Sequence, residues 1–347
     1  GGSIGSELSR QICGFKPAEL TLLGHGENSI FQIAAELRRQ NAGENGSVNI
    51  HTIIADIRDR ERMTHVFQSY KPQLIFHAAA HKHVGLMEGN LPDAVTNNVL
   101  GTKILVDLAD EFGVDRFILI SSDKAVNPLC IMGVTKRVAE LIVDDAALRT
   151  GRAFVTVRFG NVLGSRGSVV PIFKQQIAQG GPLYVTDPNV KRYFMTIPEA
   201  VQLVLQSGYI GEGGDVFVLN MGEPIKIIDL ARDLIRLSGL EEGKDIDIVF
   251  TGLQSGEKLS EELFFASEMK ESSVHEKIFV CRNGHKGTTS VQEGNEASRT
   301  EPIRVTLRAN VQRLIRAAQQ GRVLEAKHML RKILPEYQFT DERSEHT

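Results

Sequence analysis

The chain has 347 residues, of which 41% are hydrophobic and 24% are charged, and its formal net charge is -3. This composition indicates a soluble globular enzyme of one or two linked domains, and the small net charge gives no general attraction to nucleic acid or to an anionic membrane. Three widely spaced cysteines indicate neither a disulfide framework nor a zinc pair, and no apolar stretch approaches the roughly 18 to 20 residues that span a bilayer.

The first two-thirds of the chain alternate short apolar runs with helical patterns. The predicted strands are residues 20–23, 48–54, 74–78, 117–121 and 154–159, and the predicted helices are residues 29–39, 60–70, 94–112 and 132–149. Such alternation is typical of βαβ units. We therefore predict an α/β fold with a Rossmann-like, doubly wound parallel sheet.

The remainder divides the chain into four parts. A smaller, discontinuous substrate-binding lobe is interleaved with the end of the sheet, and its predicted elements are strands at 216–220 and 246–250 and helices at 227–238 and 258–265. A polar stretch and two amphipathic helices, turning at 319–321, follow it. The predicted parts are an NAD(P)-binding domain (1–160), the substrate lobe (161–266), a polar linker (267–302) and a helical tail (303–347).

The chain begins inside a pattern that resembles a glycine turn between a strand and a helix, so we expect the first strand to lie upstream of Gly1. Gly2 and Gly5 would let the backbone approach a pyrophosphate at the N-terminus of the next helix. A plain glycine-rich turn is the alternative. The residues predicted to contact NAD or NADP are Gly2, Ser3, Ile4, Gly5, Glu27, Asp56, Ile57, Ala78, Ala79, Ala80, Asn98 and Lys136.

The cofactor's phosphorylation state is left open by the sequence. The strand end that usually carries a ribose-binding carboxylate has Gly24 and His25 instead. Glu27 could reach the ribose, or His25 could tolerate a 2′-phosphate, and NAD is slightly favoured. Asp56 is placed to accept from the adenine amino group, although a simple turn aspartate fits the position nearly as well.

Three histidines, His77, His81 and His83, lie close together after the third predicted strand. No carboxylate or cysteine completes a metal-ligand spacing, and Lys82 would repel a cation. We therefore predict no metal site.

Ser122, Asp123 and Lys124 follow a strand at the sheet edge where open α/β folds carry their catalytic groups. Met132 and Lys136 come next, four residues apart on one face of a predicted helix. This spacing resembles the Tyr-x-x-x-Lys pair of short-chain dehydrogenases.

Several longer motifs extend this resemblance. They are HAAAHKHV (77–84), NNVLGT (97–102), SSDKAVNP (121–128), MGVTK (132–136), VRFGNVLGS (157–165) and RYFMT (192–196). Together they resemble the polysaccharide-biosynthesis 4,6-dehydratases of the extended short-chain dehydrogenase superfamily, particularly the large membrane-anchored bacterial UDP-N-acetylglucosamine 4,6-dehydratases.

The resemblance implies a role for each catalytic candidate. Met132 replaces the usual tyrosine, Ser122 hydrogen-bonds the sugar 4-hydroxyl, and Lys136 holds the nicotinamide ribose. Lys124 removes the 5-proton, which requires a lowered pKa, and Asp123 protonates the departing 6-hydroxyl, which requires a raised pKa. Hydride leaves the sugar 4-position and returns to the 6-position.

The resemblance also implies a UDP-N-acetylhexosamine substrate. The predicted contacts are His83, Asn161, Ser165, Arg166, Gly167, Ser168 and Arg192. One departure is Gln254, which stands where the family has an arginine. This exchange removes one expected phosphate contact.

Two other functions remain open: a UDP-sugar 4-epimerase and a catalytically silent nucleotide-binding regulatory subunit. The Ser-Asp-Lys triplet favours dehydration over epimerisation. By resemblance we expect a homo-oligomer with transmembrane segments upstream of Gly1. These segments would hold the catalytic part at the cytoplasmic face of the bacterial inner membrane for surface-polysaccharide synthesis.

Overall fold

A computed structural model describes residues 1–41, 48–282 and 296–337. Its strands are β1 (Glu19–Gly24), β2 (Asn49–Ile54), β3 (Leu74–His77), β4 (Arg116–Ile120), β5 (Ala153–Arg158), β6 (Asn161–Val162), β7 (Leu183–Val185), β8 (Lys191–Arg192), β9 (Phe194–Met195), β10 (Val216–Leu219), β11 (Ile225–Lys226), β12 (Ile248–Phe250), β13 (Met269–Ser272) and β14 (Ile278–Arg282).

The helices alternate with these strands through the first half of the chain. They are α1 (Ser3–Gly14), α2 (Glu27–Asn41), α3 (Arg60–Tyr70), α4 (Val84–Glu88), α5 (Leu91–Val95), α6 (Gly101–Glu111), α7 (Ile131–Thr150), α8 (Val169–Ala178), α9 (Ile197–Ile210), α10 (Ile227–Leu237), α11 (Glu296–Gln319) and α12 (Val323–Ile333). A π-helical turn, Thr96–Leu100, leads into α6, and a 3-10 turn, Asp123–Ala125, follows β4.

The central sheet has the strand order β13-β14-β10-β5-β4-β3. The four strands from β10 to β3 are parallel, whereas β14 is antiparallel to both of its neighbours. β1 and β2 form a separate parallel pair, and within the described residues neither β1 nor β3 pairs with a second strand on its other edge. This arrangement agrees with the predicted, mainly parallel α/β architecture.

The structure contradicts two predictions of secondary structure. Residues 267–302 were assigned to a linker, but β13 and β14 belong to the sheet because Cys281 is buried against Val216 and Val218 of β10. The most polar part, 283–295, lies outside the described residues. Residues 258–265 form no helix, because Lys258 Nζ binds Val126 O at 3.0 Å and holds the segment in an irregular path.

Helices cover both faces of the central sheet. α6 and α7 pack on one face, while α1 and α9 pack on the other. The tail helices α11 and α12 pack outside α5 and α7 through buried residues that include Val311, Leu314 and Leu330. In the parts of the chain that are described, no helix has both the length and the apolar character that crossing a bilayer requires.

A buried charge network ties the sheet to α7. The guanidinium of Arg158, at the end of β5, lies 2.8 Å from each carboxylate oxygen of Glu140 and 2.8 and 2.9 Å from those of Glu268. Glu140 also accepts a 2.6 Å hydrogen bond from Ser121 Oγ. Burial alone would raise the pKa of Glu140, but Arg158 and Arg137 lower this pKa to about 2. The network therefore stays ionised at neutral pH.

We expect Arg158→Met to lower the free energy of unfolding by about 3 to 5 kcal/mol, because it leaves buried Glu268 without its cation and buried Glu140 with Arg137 alone. Urea denaturation followed by circular dichroism measures the loss. The matched control is Arg236→Met, which removes only an exposed pair with Asp233 and should change stability little. Equal stability of the two variants would contradict the structural role of the network.

Candidate active site

Ser122 and Asp123 form one hydrogen-bonded unit where β4 ends. Ser122 caps the 3-10 turn: its Oγ accepts from Lys124 N at 3.3 Å and donates to Asp123 Oδ1 at 2.8 Å. Asp123 is 1% exposed, and its Oδ2 has no hydrogen-bond partner among the described residues. Gly160 leaves room for this oxygen, since a Cβ there would lie 3.0 Å from it. The site therefore holds a buried carboxyl group whose second oxygen has unused hydrogen-bonding capacity.

Lys124 lies between two carboxylates and an amide. Its Nζ is 3.1 Å from Asp123 Oδ1, 3.2 Å from Glu261 Oε1 and 3.5 Å from Asn161 Oδ1. Burial lowers the pKa of Lys124, but Asp123 and Glu261 outweigh burial and leave this pKa above its ordinary value. The predicted lowering of the Lys124 pKa is thus wrong for this arrangement, because the sequence did not reveal the second carboxylate.

The first turn of α7 packs directly against this unit. A Cβ on Gly133 would lie 2.1 Å from the carbonyl oxygen of Lys124, so a side chain at this position would push the helix away from the lysine. Met132 and Lys136 are both buried on this helix, and Lys136 Nζ donates to Ile120 O at 2.5 Å. The structure therefore brings together the five residues that the sequence grouped as catalytic.

The charge of Lys136 depends on pH in the working range. Burial lowers the pKa of Lys136 to about 8, although Glu140 opposes this shift. The ammonium charge is therefore present below pH 8 and is lost as the pH rises through that value. A pyrophosphate-containing ligand would lose this attraction on the alkaline side.

We expect affinity for the nicotinamide cofactor to fall above about pH 8 in the wild type. Lys136→Met should bind about 10-fold more weakly at pH 7, because it lacks a charged donor, and its affinity should not follow this titration. Isothermal titration calorimetry between pH 6.5 and 9.5 measures both effects. Lys103→Met, which removes a half-buried lysine paired with Asp107, is the control and should keep the wild-type profile. If the affinity of Lys136→Met for the cofactor had the same pH dependence as that of the wild type, Lys136 would not be the group that binds the cofactor.

The predicted pyrophosphate turn and the predicted substrate loop are in contact. Gly2 is the N-cap residue of α1, and no side chain forms a capping hydrogen bond at this helix N-terminus. Arg166 N donates to Ser3 Oγ at 3.1 Å, and Lys82 Nζ donates to Arg166 O at 2.8 Å. Free N–H groups and two cationic side chains suit an anionic group here. Lys82 was not predicted to bind, although it lies within the HAAAHKHV motif.

The remaining cofactor candidates have different surroundings. Glu27 is exposed at the first position of α2, and Ala78, Ala79 and Ala80 follow β3. The carboxylate of Asp56 is bound by Arg58, whose hydrogen bonds lower the pKa of Asp56 despite burial.

Two further cofactor candidates have structural contacts. Ile57 packs against Gly101. Asn98 uses its side-chain amide to hold the backbone of His81, at 2.8 and 3.1 Å, and the hydroxyl of Thr135. Asn98 is therefore engaged with protein groups.

The substrate candidates separate into a loop and a buried arginine. His83 lies against Gly167, whose positive φ of 67° favours glycine, and Ser165 Oγ is 3.4 Å from Lys82 Nζ. Ser168 is the N-cap residue of α8, and its buried Oγ has no hydrogen-bond partner within the described chain.

Arg192 was predicted to bind an anionic substrate group through a free guanidinium, but its guanidinium is already paired. It is buried and pairs with Glu257 at 2.9 Å, since that carboxylate reaches it from the 254–258 segment.

The three histidines have separate environments. His77 is buried and bonds Thr102 Oγ1 at 2.9 Å, and burial, followed by Lys136, lowers the pKa of His77 to about 3. His81 lies beside Asn98, and His83 faces the substrate loop. No group of three or more histidine, cysteine, aspartate or glutamate side chains suited to a metal ion occurs in residues 1–41, 48–282 and 296–337.

Comparison with known proteins places this site in a family. The family described as "Polysaccharide biosynthesis protein" matches residues 1–283. The chain belongs to the polysaccharide biosynthesis protein family. Capsular polysaccharide biosynthesis protein CapD of Staphylococcus aureus is 51% identical over 292 residues, which are 84% of this chain and 48% of that protein. The chain thus spans about half the length of the curated relatives it matches first.

Two further similarities bear on the fold and the site of this family member. A Campylobacter jejuni protein named UDP-N-acetylglucosamine 4,6-dehydratase (inverting) is 30% identical over 265 residues, 75% of this chain and 74% of that protein. The X-ray structure of Pen from Bacillus thuringiensis is 31% identical with a TM-score of 0.72, covering 80% of this chain and 85% of that chain. The predicted Rossmann-like fold and the resemblance to the polysaccharide biosynthesis family are confirmed.

Proposed function

We propose that this chain is the catalytic part of an NAD(P)-dependent nucleotide-sugar 4,6-dehydratase. The proposed substrate is UDP-N-acetylglucosamine, and the product is a UDP-4-keto-6-deoxy-N-acetylhexosamine for bacterial surface polysaccharide. One observation carries the proposal: Ser122 and Lys124 both contact the buried carboxylate of Asp123 and form one unit with it at the carboxyl end of β4. The named dehydratase from Campylobacter jejuni supports the same reaction class.

The nicotinamide cofactor, when bound, accepts a hydride from the sugar and returns it. The N-terminus of α1 would hold its pyrophosphate, and Lys136 would hold its nicotinamide ribose from the buried face of α7. Both groups are positively polarised, which suits an anionic dinucleotide. NAD and NADP both remain compatible with the proposal.

Ser122 gives the oxidation step a proton route that Met132 cannot supply, because a thioether accepts no proton. As the sugar 4-hydroxyl loses its proton to Ser122 Oγ, the serine proton passes over 2.8 Å to Asp123 Oδ1. Asp123 then carries the proton that the 6-hydroxyl needs in order to leave as water. Lys124 acts in its neutral form, after its ammonium proton has passed to solvent. It takes the 5-proton while the electron pair of the broken C5–H bond forms the double bond to C6, and it gives a proton back to C5 when the hydride adds to C6.

A 4-epimerase is the main alternative reaction. It would return the hydride to the 4-position and would need no acid and base beside the 5- and 6-positions. The adjacent carboxyl group of Asp123 and amine of Lys124 provide an acid and a base that elimination requires and epimerisation does not, so the pair favours elimination. A catalytically silent regulatory subunit remains the alternative outside enzymology. Membrane association, the cytoplasmic membrane face and homo-oligomerisation stay predictions.

Incubation with UDP-N-acetylglucosamine and cofactor in deuterated water distinguishes these functions. The dehydratase yields a 4-keto product that has lost water and carries deuterium at the 5-position, visible by mass spectrometry and NMR. An unchanged mass with inversion at the 4-position would establish the epimerase. Recovery of unchanged substrate would support the silent subunit.

We expect Asp123→Asn and Lys124→Ala each to lower the rate of dehydration by about 10²- to 10⁴-fold, because each removes one positioned proton transfer. Cofactor affinity should stay within about twofold of the wild type, since neither side chain lies at the N-terminus of α1. Asp115→Asn, at the opposite end of β4, is the control and should retain activity. Dehydration retained by either active-site variant would overturn the assignment.

A further inference from the structure

Glu261 belongs to the substrate lobe, yet its carboxylate lies inside the Ser122–Lys124 site. The residue is 6% exposed, and Oε1 is 3.2 Å from Lys124 Nζ. Backbone pairing fixes its position, because Lys191 N donates to Leu259 O at 2.8 Å and Ser260 bridges to Lys191. The second carboxylate oxygen, Oε2, is buried without a hydrogen-bond partner among the described residues. Glu261 is therefore placed by the lobe against the active-site lysine.

Besides Glu261, two charged side chains act on the Lys124 ammonium: Asp123 and Arg192. Asp123 attracts it from the same turn, and Arg192, whose Nε lies 3.9 Å from Glu261 Oε1, repels it. Burial raises the pKa of the nearby Cys130 thiol to about 11, so this group is neutral in the working range. Asp123 and Glu261 are therefore the two anions that balance the lysine.

These two anions differ in what the proposed reaction asks of them. Asp123 must carry a proton to the departing 6-hydroxyl, and in that form it no longer offers Lys124 a negative charge. Glu261 has no such duty, and its 3.2 Å contact with Nζ does not involve Ser122. At the moment of elimination Glu261 is the anion left beside Lys124.

We propose that Glu261 is a positioning residue for Lys124, holding its Nζ in place and stabilising the ammonium formed when Lys124 takes the 5-proton. This inference rests on the proposed function. The proton balance is unchanged: the C5–H bond breaks, its proton joins Lys124 Nζ, and the 6-hydroxyl leaves as water with the proton from Asp123. Glu261 makes the base stronger without exchanging an atom with the sugar, which is how a buried neighbouring charge tunes a catalytic group.

The test compares Glu261→Gln with Glu262→Gln. Glu262 is the adjacent residue, half-exposed and paired with Lys258 and Asn127 outside the site, so its substitution controls for a charge lost from the same segment. Glu261→Gln should slow elimination by about 10- to 100-fold while leaving oxidation at the sugar 4-position near the wild-type rate. Stopped-flow absorbance at 340 nm would then show reduced cofactor accumulating before the keto product appears.

A second readout follows the lysine itself and needs no substrate. The pH dependence of acetic anhydride labelling at Lys124, measured by mass spectrometry, reports its titration. Glu261→Gln should move this titration to lower pH, because it removes a negative charge, and Glu262→Gln should leave it unchanged. Glu261→Asp keeps the charge and should restore the labelling curve most of the way. If Glu261→Gln fails to fold, Glu261→Asp provides the test, because it should move the titration of Lys124 to lower pH by a smaller amount.

The outcomes separate this inference from the proposed function. A wild type that forms no 4-keto product refutes the dehydratase, whereas the Lys124 labelling curves still show whether Glu261 controls the lysine. An unshifted labelling curve, an equal effect of Glu262→Gln, or an equal loss of oxidation and elimination would overturn the role of Glu261. The last result would mean that the carboxylate only holds the substrate lobe in place.

Discussion

The buried guanidinium of Arg158 neutralises the carboxylates of Glu140 and Glu268, and so joins β5 to α7 and to the chain that enters β13. Glu140 in turn binds the hydroxyl of Ser121, the residue before Ser122, which caps the 3-10 turn Asp123–Ala125. The same charge network therefore fixes the position of that turn relative to Lys136 on α7. Exposed ion pairs are too weak for this purpose, whereas a buried pair cannot lose one member without a large cost.

The repeating units of the fold could be predicted from the sequence because their signals are local. Apolar residues recur with the period of a strand in β4 and β5 and with the period of a helix in α7. β13 escaped prediction because its sequence, MKES, is mostly polar, and β14 because its short apolar run lies between polar segments. Backbone pairing of β14 with β10, and of β13 with β14, makes both part of the sheet. For residues 258–265 the error is the reverse, because a helix was predicted and none forms. Local periodicity favoured the helix, but tertiary contacts of Lys258 hold the segment in an irregular path.

The candidate site shows the same division. Ser122 to Lys136 lie close together in sequence, so one strand end and one helix turn were enough to group them. Glu261 lies far from Lys124 in the sequence, in the predicted substrate lobe, and no local pattern connects the two residues. Because the second carboxylate was unseen, the direction of the Lys124 pKa could not be predicted correctly. The prediction that Arg192 has a free guanidinium failed for a related reason, because its partner Glu257 is distant in sequence and comes near only in the folded chain.

The tail helices have a consequence for self-association. Val311, Leu314 and Leu330 are buried against the surface formed by α5 and α7, so that surface is covered by the chain's own C-terminal hairpin. Two copies of the chain cannot meet directly through this surface while the hairpin is docked. Any homo-oligomer would therefore use another part of the molecule or include the hairpin in its subunit contact, so the docked tail limits which surfaces are available for self-association.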